Sequence, residues 1–264
     1  MGGSAQVLAR AAAVEASHLR VSRLQRMSHY ELRALLTGAP ARAALWVTSA
    51  AEYGLPAAQL RLGRMLLEGC GVATNQALAL FWFNRAADQL DAEAMNMVGR
   101  CYENSWGTLA DLTRAAQWYQ LSAQRGHDWG QYNFANMLFD GRGVPLDLPQ
   151  ALVWYLRAAR QGHARAMNLM GRCCEQGWGC SQNSIAALDW YGQSAHAGYF
   201  RGQYNYAALL AERGLMSEAA DWFWQAASAG TIGIRRAILR ALAPAQDPTL
   251  RAVRARVGSL LNNT

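Results

Sequence analysis

Cys173, Cys174 and Cys180 fall within eight residues of one another, the densest gathering in this chain of side chains able to bind a soft metal or exchange electrons. A thiolate metal site needs further donors at paired spacing, and neither a matching histidine nor a second cysteine pair accompanies these three. Cys101 precedes Cys173 by 72 residues in a similar local sequence, as a recurring small core residue would. The five cysteines are therefore read as structural, and no metal or other cofactor is expected. His127 and His163 stand 36 residues apart, each directly after a glycine, and are read as lying near a helix C-terminus. His18, His29 and His196 have no evident partner. The chain holds no phosphate-binding glycine loop, no G-x-S-x-G, no H-E-x-x-H and no dinucleotide glycine pattern. No catalytic residue is expected, and the chain does not read as an enzyme.

The elements that position these residues follow from composition and period. The chain has 264 residues, 52% hydrophobic and 16% charged, enough for a buried core and too apolar for disorder. No apolar run approaches the roughly 18 residues of a membrane span. Arg10 and Glu15 interrupt the opening segment where a signal peptide is apolar, and Gln6 stands where a myristoylation signal wants Ser or Thr. The cytoplasm is the compartment expected by default. All of the positive charge behind the net +7 is arginine. Residues 57–231 hold 13 arginines against 14 acids, whereas residues 1–56 hold six against three and residues 232–264 hold six against one, Asp247. The basic character belongs to the two ends.

Trp46, Trp82, Trp118, Trp154 and Trp190 are each 36 residues apart. Gly63, Gly99, Ala135, Gly171 and Ala207 keep the same step, as do Asn75, Asp111, Asp147 and Asn183. Three positions sharing one period define an internal repeat. The Asn/Asp set precedes each Trp by seven residues, where a short polar side chain caps a new helix, here named helix B. Ala79, Ala115, Ala151 and Ala187 follow on the same face. Each Trp then leads to a small pair one turn on, such as Ala86-Ala87 and Ala158-Ala159, so the indole is expected to fill the gap between closely approaching helices. Gly126, Gly162 and Gly198 are expected to end these helices in the left-handed conformation. Helix A surrounds the Gly/Ala register, and Gly69-Cys70-Gly71, Gly141-Arg142-Gly143 and Gly177-Trp178-Gly179 form the turn between the helices. A weaker period of 72 overlies the first. Residues 94–103 (AMNMVGRCYE) are similar to 166–175 (AMNLMGRCCE), and 130–138 (GQYNFANML) to 202–210 (GQYNYAALL).

This pattern resembles the Sel1-like repeat, a relative of the tetratricopeptide repeat. That unit runs A-x-x-x-L-G-x-x-Y, then G-x-G-V, then D-x-x-x-A-x-x-W-Y-x-x-A-A-x-x-G. Residues 130–162 carry it best, and the likeness covers about 57–230 with a partial unit around Trp46. Trp222 follows Trp190 by 32 residues, so the last unit lacks four residues of its turn, and Ser105-Trp106-Gly107 lacks the first turn glycine. The resemblance implies an all-α, right-handed solenoid of stacked helix–turn–helix pairs. It also implies a non-enzymatic role as an adaptor, often in bacterial signalling or envelope processes.

The expected organisation is basic capping helices over 1–38, the repeat array over 39–231, and basic capping helices over 232–264. Helices are read over 5–27, carrying Arg20, Arg23 and Arg26, and from Ser28 to Gly38. Two more are read over 232–243 and 248–261, exposing Arg235, Arg236, Arg240, Arg251, Arg254 and Arg256. In tetratricopeptide-like arrays helix A lines the concave face. Carried onto this chain, its partner-facing positions are Leu60, Asn96, Tyr132, Asn168 and Tyr204, then Arg64, Arg100, Asn136 and Arg172, then Glu103, Phe139 and Glu175. Such side chains can bond a peptide backbone, fork onto a carboxylate or offer aromatic area. Trp106 and Trp178, in turns, are expected to pack on the next unit or to form an aromatic rim. The expected function is a scaffold binding a peptide or protein partner in this groove. The alternative is binding of nucleic acid or an acidic partner by the basic ends, although nucleic acid is not the partner expected.

Overall fold

The computed structural model describes residues 22 and 39–262. The helices expected over 5–27 and 28–38, with Arg20, Arg23 and Arg26, lie outside the described residues, Ser22 apart. Among the described residues there are thirteen helices and no strand. They fall into two compact units divided between Gly130 and Gln131.

The first unit holds α1 (Pro40–Glu52), α2 (Pro56–Glu68), α3 (Gln76–Ala87), α4 (Ala92–Asn104), α5 (Leu112–Gln124) and the start of α6 (Asp128–Asp140). The second holds the rest of α6, then α7 (Leu148–Arg160), α8 (Ala164–Gln176), α9 (Ser184–His196), α10 (Phe200–Glu212), α11 (Met216–Ala229), α12 (Ile232–Ala241) and α13 (Pro248–Asn262). In the first unit each helix from α1 to α5 packs on the next, and in the second the same holds from α7 to α13. Odd-numbered helices up to α11 are the B helices of the repeat, and the even-numbered helices α2 to α10 are its A helices.

The caps are where the spacing placed them. Asn75, Asp111, Asp147 and Asn183 accept from the backbone N–H of Leu78, Arg114, Gln150 and Ala186, each at 2.9 Å. Such a cap is worth about 1 kcal/mol. Gly126, Gly162 and Gly198 close the B helices with φ of +85°, +90° and +82°.

The buried ring of each unit is the residue after the tryptophan. Phe83, Tyr119, Tyr155, Tyr191 and Phe223 are buried, whereas Trp82, Trp118, Trp154, Trp190 and Trp222 are only partly so. One residue is a rotation of about 100° on a helix, enough to move the indole from the inner face to its edge. The glycine register exists for these rings. A Cβ at Gly63, Gly99 or Gly171 would stand 2.4, 2.7 or 2.6 Å from an atom of Phe83, Tyr119 or Tyr191.

The histidines correct the sequence reading in the same way. His127 and His163 do follow the glycine that ends a B helix, but the next A helix starts at once. Nδ1 of His127 accepts from the Gly130 N–H and that of His163 from the Ala166 N–H, both at 3.1 Å. They are N-caps, equivalent to Asp91, which accepts from Ala94 at 2.8 Å.

The turns after α2, α4 and α8 grip the preceding B helix. A Cβ at Gly107, where φ is +73°, would stand 2.3 Å from the carbonyl oxygen of Gln76, the first residue of α3. Gly71 meets Pro40 of α1 and Gly179 meets Leu148 of α7 in the same way. Ser105 occupies the first turn position with φ +60°, a conformation that glycine holds at Gly69, Gly141 and Gly177. The shortened turn is confirmed: residues 213–215 separate α10 from α11, where residues 177–183 separate α8 from α9.

Candidate partner-binding face

The candidate face is built on the A helices, and its residues divide by depth. Asn96 and Asn168 are each 5% exposed and Leu60 is 7% exposed, so these three belong to the packing rather than to an open surface. Asn168 Oδ1 accepts from Asn205 Nδ2 at 2.8 Å, joining α8 to α10. The other nine candidates are half-buried or exposed.

In the first unit Arg64 of α2 pairs with Glu93 of α4. The Arg100 guanidinium lies 4.9 Å from the centroid of the Trp106 ring, with Nη1 3.7 Å from Met97 Sδ. Glu103, one turn on, accepts from the Tyr119 hydroxyl at 2.6 Å. The carboxylate thereby satisfies a phenol delivered from α5, a charge-assisted bond stronger than a neutral one.

The second unit repeats this arrangement on α8. Arg172 lies 5.2 Å above the Trp178 ring, and Glu175 accepts from the Tyr191 hydroxyl at 2.8 Å. On α6 the same problem has a neutral answer, because Asn136 Oδ1 accepts from Tyr155 at 2.7 Å. Phe139 then meets Trp178 edge-on at 5.4 Å, so the turn tryptophan carries Phe139 against its ring as well as Arg172 above it. Tyr132 stacks on His163 at 4.7 Å, and Tyr204 meets Phe223 edge-on at 5.8 Å. Burial holds the Tyr155 and Tyr191 phenols well above the usual tyrosine range, reinforced at Tyr191 by its bond to Glu175.

Trp106 and Trp178 are the residues that the groove positions alone miss as part of this face. Their signal was present: Arg100 and Trp106, like Arg172 and Trp178, are six residues apart, while Arg64 and Asn136 have Cys70 and Arg142 at that offset.

The cysteines do not contribute. Cys101 and Cys173 are buried, and desolvation pushes each thiol up to about 12. Burial also raises Cys174, whose thiol neighbours that of Cys180. A thiol held protonated is a poor nucleophile and a poor ligand.

The Sel1 repeat pattern matches residues 56–89, 92–127, 130–163 and 164–199. No curated protein matches the chain. A protective antigen of uropathogenic Escherichia coli displaying an SLR fold is similar in structure, with TM-score 0.69 and 28% identity over 83% of this chain. The chain spans about half of that protein, 48% of its length. A Sel1 repeat protein from Oxalobacter formigenes has TM-score 0.65 and 26% identity, over 70% of this chain and 76% of the other. An immunity protein from Pseudomonas aeruginosa shares the fold at 17% identity and TM-score 0.53, over 81% and 85% of the two chains.

Proposed function

The chain belongs to the Sel1 repeat family, and from that premise we propose that it is a non-enzymatic scaffold whose A helices, within each unit, present a face that takes a peptide or protein segment. The observation that supports this reading is the pair of arginines seated on turn tryptophans, Arg100 on Trp106 and Arg172 on Trp178. A guanidinium resting on an indole loses little side-chain freedom when a ligand arrives, and Arg and Trp are the residues that most often dominate binding energy. Around Arg172 the half-buried Phe139 and Asn136 add apolar area and an amide. Tyr132 and Tyr204 extend the same register.

The test is Arg100→Ala combined with Arg172→Ala. The double variant should keep its helical content, because both guanidiniums lie on the surface of their helices. A partner captured by the unaltered protein from cells of the source organism, then purified, should bind the variant about tenfold or more weakly in calorimetry. An unchanged affinity would show that the partner docks elsewhere.

A further inference from the structure

The last two helices carry a surface that the groove does not use. Helices α12 and α13 are fastened to α11 by Ile238, Leu242, Leu250, Val253 and Val257, all buried in one cluster with Phe223. The segment carries the six arginines of residues 232–264.

Three of these are committed to the fold. Arg235, half-buried rather than exposed as the sequence implied, donates from Nε to the Ala227 carbonyl at 2.9 Å, near the end of α11. Arg254 donates to the Ala243 carbonyl at 3.2 Å, just past the end of α12. Arg256 lies 3.8 Å from the centroid of the Trp224 ring. The other three, Arg236, Arg240 and Arg251, are exposed, and among the described residues none of their guanidiniums has a hydrogen bond, an ion pair or a ring contact.

Arg236 and Arg240 share a face of α12 at i,i+4, and Arg251 and Arg254 share a face of α13 at i,i+3. The bond from Arg254 to Ala243 brings that face of α13 to the end of α12 where Arg240 stands. The one acid of the segment is already used, since Asp247 Oδ1 accepts from Thr249 at 2.9 Å and Leu250 at 3.2 Å to cap α13. Glu218 and Asp221 of the neighbouring α11 form no ion pair among the described residues.

We propose that Arg236, Arg240 and Arg251 form an electrostatic docking surface for an acidic segment of a protein partner. Guanidinium forks match carboxylates two bonds at a time, and among the described residues no carboxylate pairs with these three. Other polyanions fit less well. A single strand of nucleic acid wants free aromatic rings for its bases, and the Trp224 ring is covered by Arg256. Duplex backbone held by three guanidiniums gains a salt slope of only about −2.7, too little to hold at physiological salt. A lipid surface wants apolar side chains to insert, and the exposed residues between the arginines of α13 are Ala252 and Ala255.

The test uses the whole chain and a dye-labelled decapeptide of alternating glutamate and alanine, followed by fluorescence anisotropy at low and physiological salt. The peptide should bind at low salt and weaken by about tenfold or more at physiological salt. The triple variant Arg236→Gln, Arg240→Gln, Arg251→Gln should lose about tenfold at low salt with its thermal midpoint unchanged. The triple variant Arg85→Gln, Arg125→Gln, Arg160→Gln, which removes the same net charge, should bind the peptide as the unaltered chain does. Equal loss in both triple variants would reduce the effect to net charge and overturn the proposal. So would absence of binding at low salt, or tighter binding to a short DNA duplex or to phosphatidylserine vesicles than to the peptide.

Discussion

Helices α6 and α8 meet one requirement in two ways. Each must accept the hydroxyl of a tyrosine buried beneath it by the following B helix. On α8 the acceptor is Glu175, with Gly171 opening room for the Tyr191 ring. On α6 it is Asn136, and the register position is Ala135, fully buried with its methyl accommodated. α4 repeats the first solution with Glu103, Gly99 and Tyr119. The 36-residue period is thus a packing period, fixed by ring against small residue. The pairs Glu103–Tyr119 and Glu175–Tyr191, 72 residues apart, share one way of satisfying the polar end of the ring.

The sharpest way to break this contrast is Gly171→Ala. Helix propensity alone predicts a gain of about 1 kcal/mol. The Tyr191 ring atom 2.6 Å from the new methyl predicts instead a loss of about 2 kcal/mol. Urea unfolding decides by sign, and Ala135→Gly should cost about 1 kcal/mol in the same assay. Next in size is Asn136→Leu, which leaves the Tyr155 hydroxyl buried without its acceptor and should cost about 2 kcal/mol. Tyr155→Phe in that background should recover most of it, and no recovery would mean that Asn136 acts through something other than this bond.

Alkaline titration compares the buried groups directly. Thiols ordinarily near 9.0 are raised to about 12 at Cys101 and Cys173, and the Tyr155 and Tyr191 phenols are raised above their ordinary 10.0. The unfolded chain therefore releases these protons first. Stability contributed by the neutral groups is complete below about pH 9 and falls above it, by up to about 1.4 kcal/mol per pH unit for each titrating group. Cys173→Ala should flatten the loss between pH 9 and 11 in chemical unfolding. The smallest expected effect is at the caps, where Asp147→Ala and Asn183→Ala should each cost about 1 kcal/mol and differ little.

Much of this was legible in the sequence, because the caps and turn glycines act locally. Asn75, Asp111, Asp147 and Asn183 needed only the start of a helix beside them. The tryptophans misled, since a recurring large ring draws attention while the inward direction depends on a neighbour that one chain segment does not reveal. His127 and His163 were placed at the wrong terminus because a junction of only three residues ends one helix and starts the next. The partner-facing register failed at Leu60, Asn96 and Asn168 for a further reason. Whether a position three residues before the glycine is open depends on how closely the adjacent A helix approaches, as Asn205 does to Asn168.

The junctions from a B helix to the next A helix are likewise of two kinds. Ser122 and Ser194 each donate a hydroxyl, to Ala92 at 2.6 Å and Ala164 at 2.7 Å, and each stands against a glycine of the following helix, Gly130 and Gly202. Where the B-helix residue is Ala86 or Ala158, the corresponding A-helix residue is Ala94 or Ala166. Removing residues 128–163 alone would set Ser122 against Ala166, whose methyl occupies the space that the hydroxyl needs; removing 128–199 would set it against Gly202. The first junction, Ala50 with Ala58, repeats the alanine pair. From Ala86 to Gly202 the junctions alternate between two matched pairs, and a single unit removed within this stretch leaves a mismatch unless its neighbour goes with it.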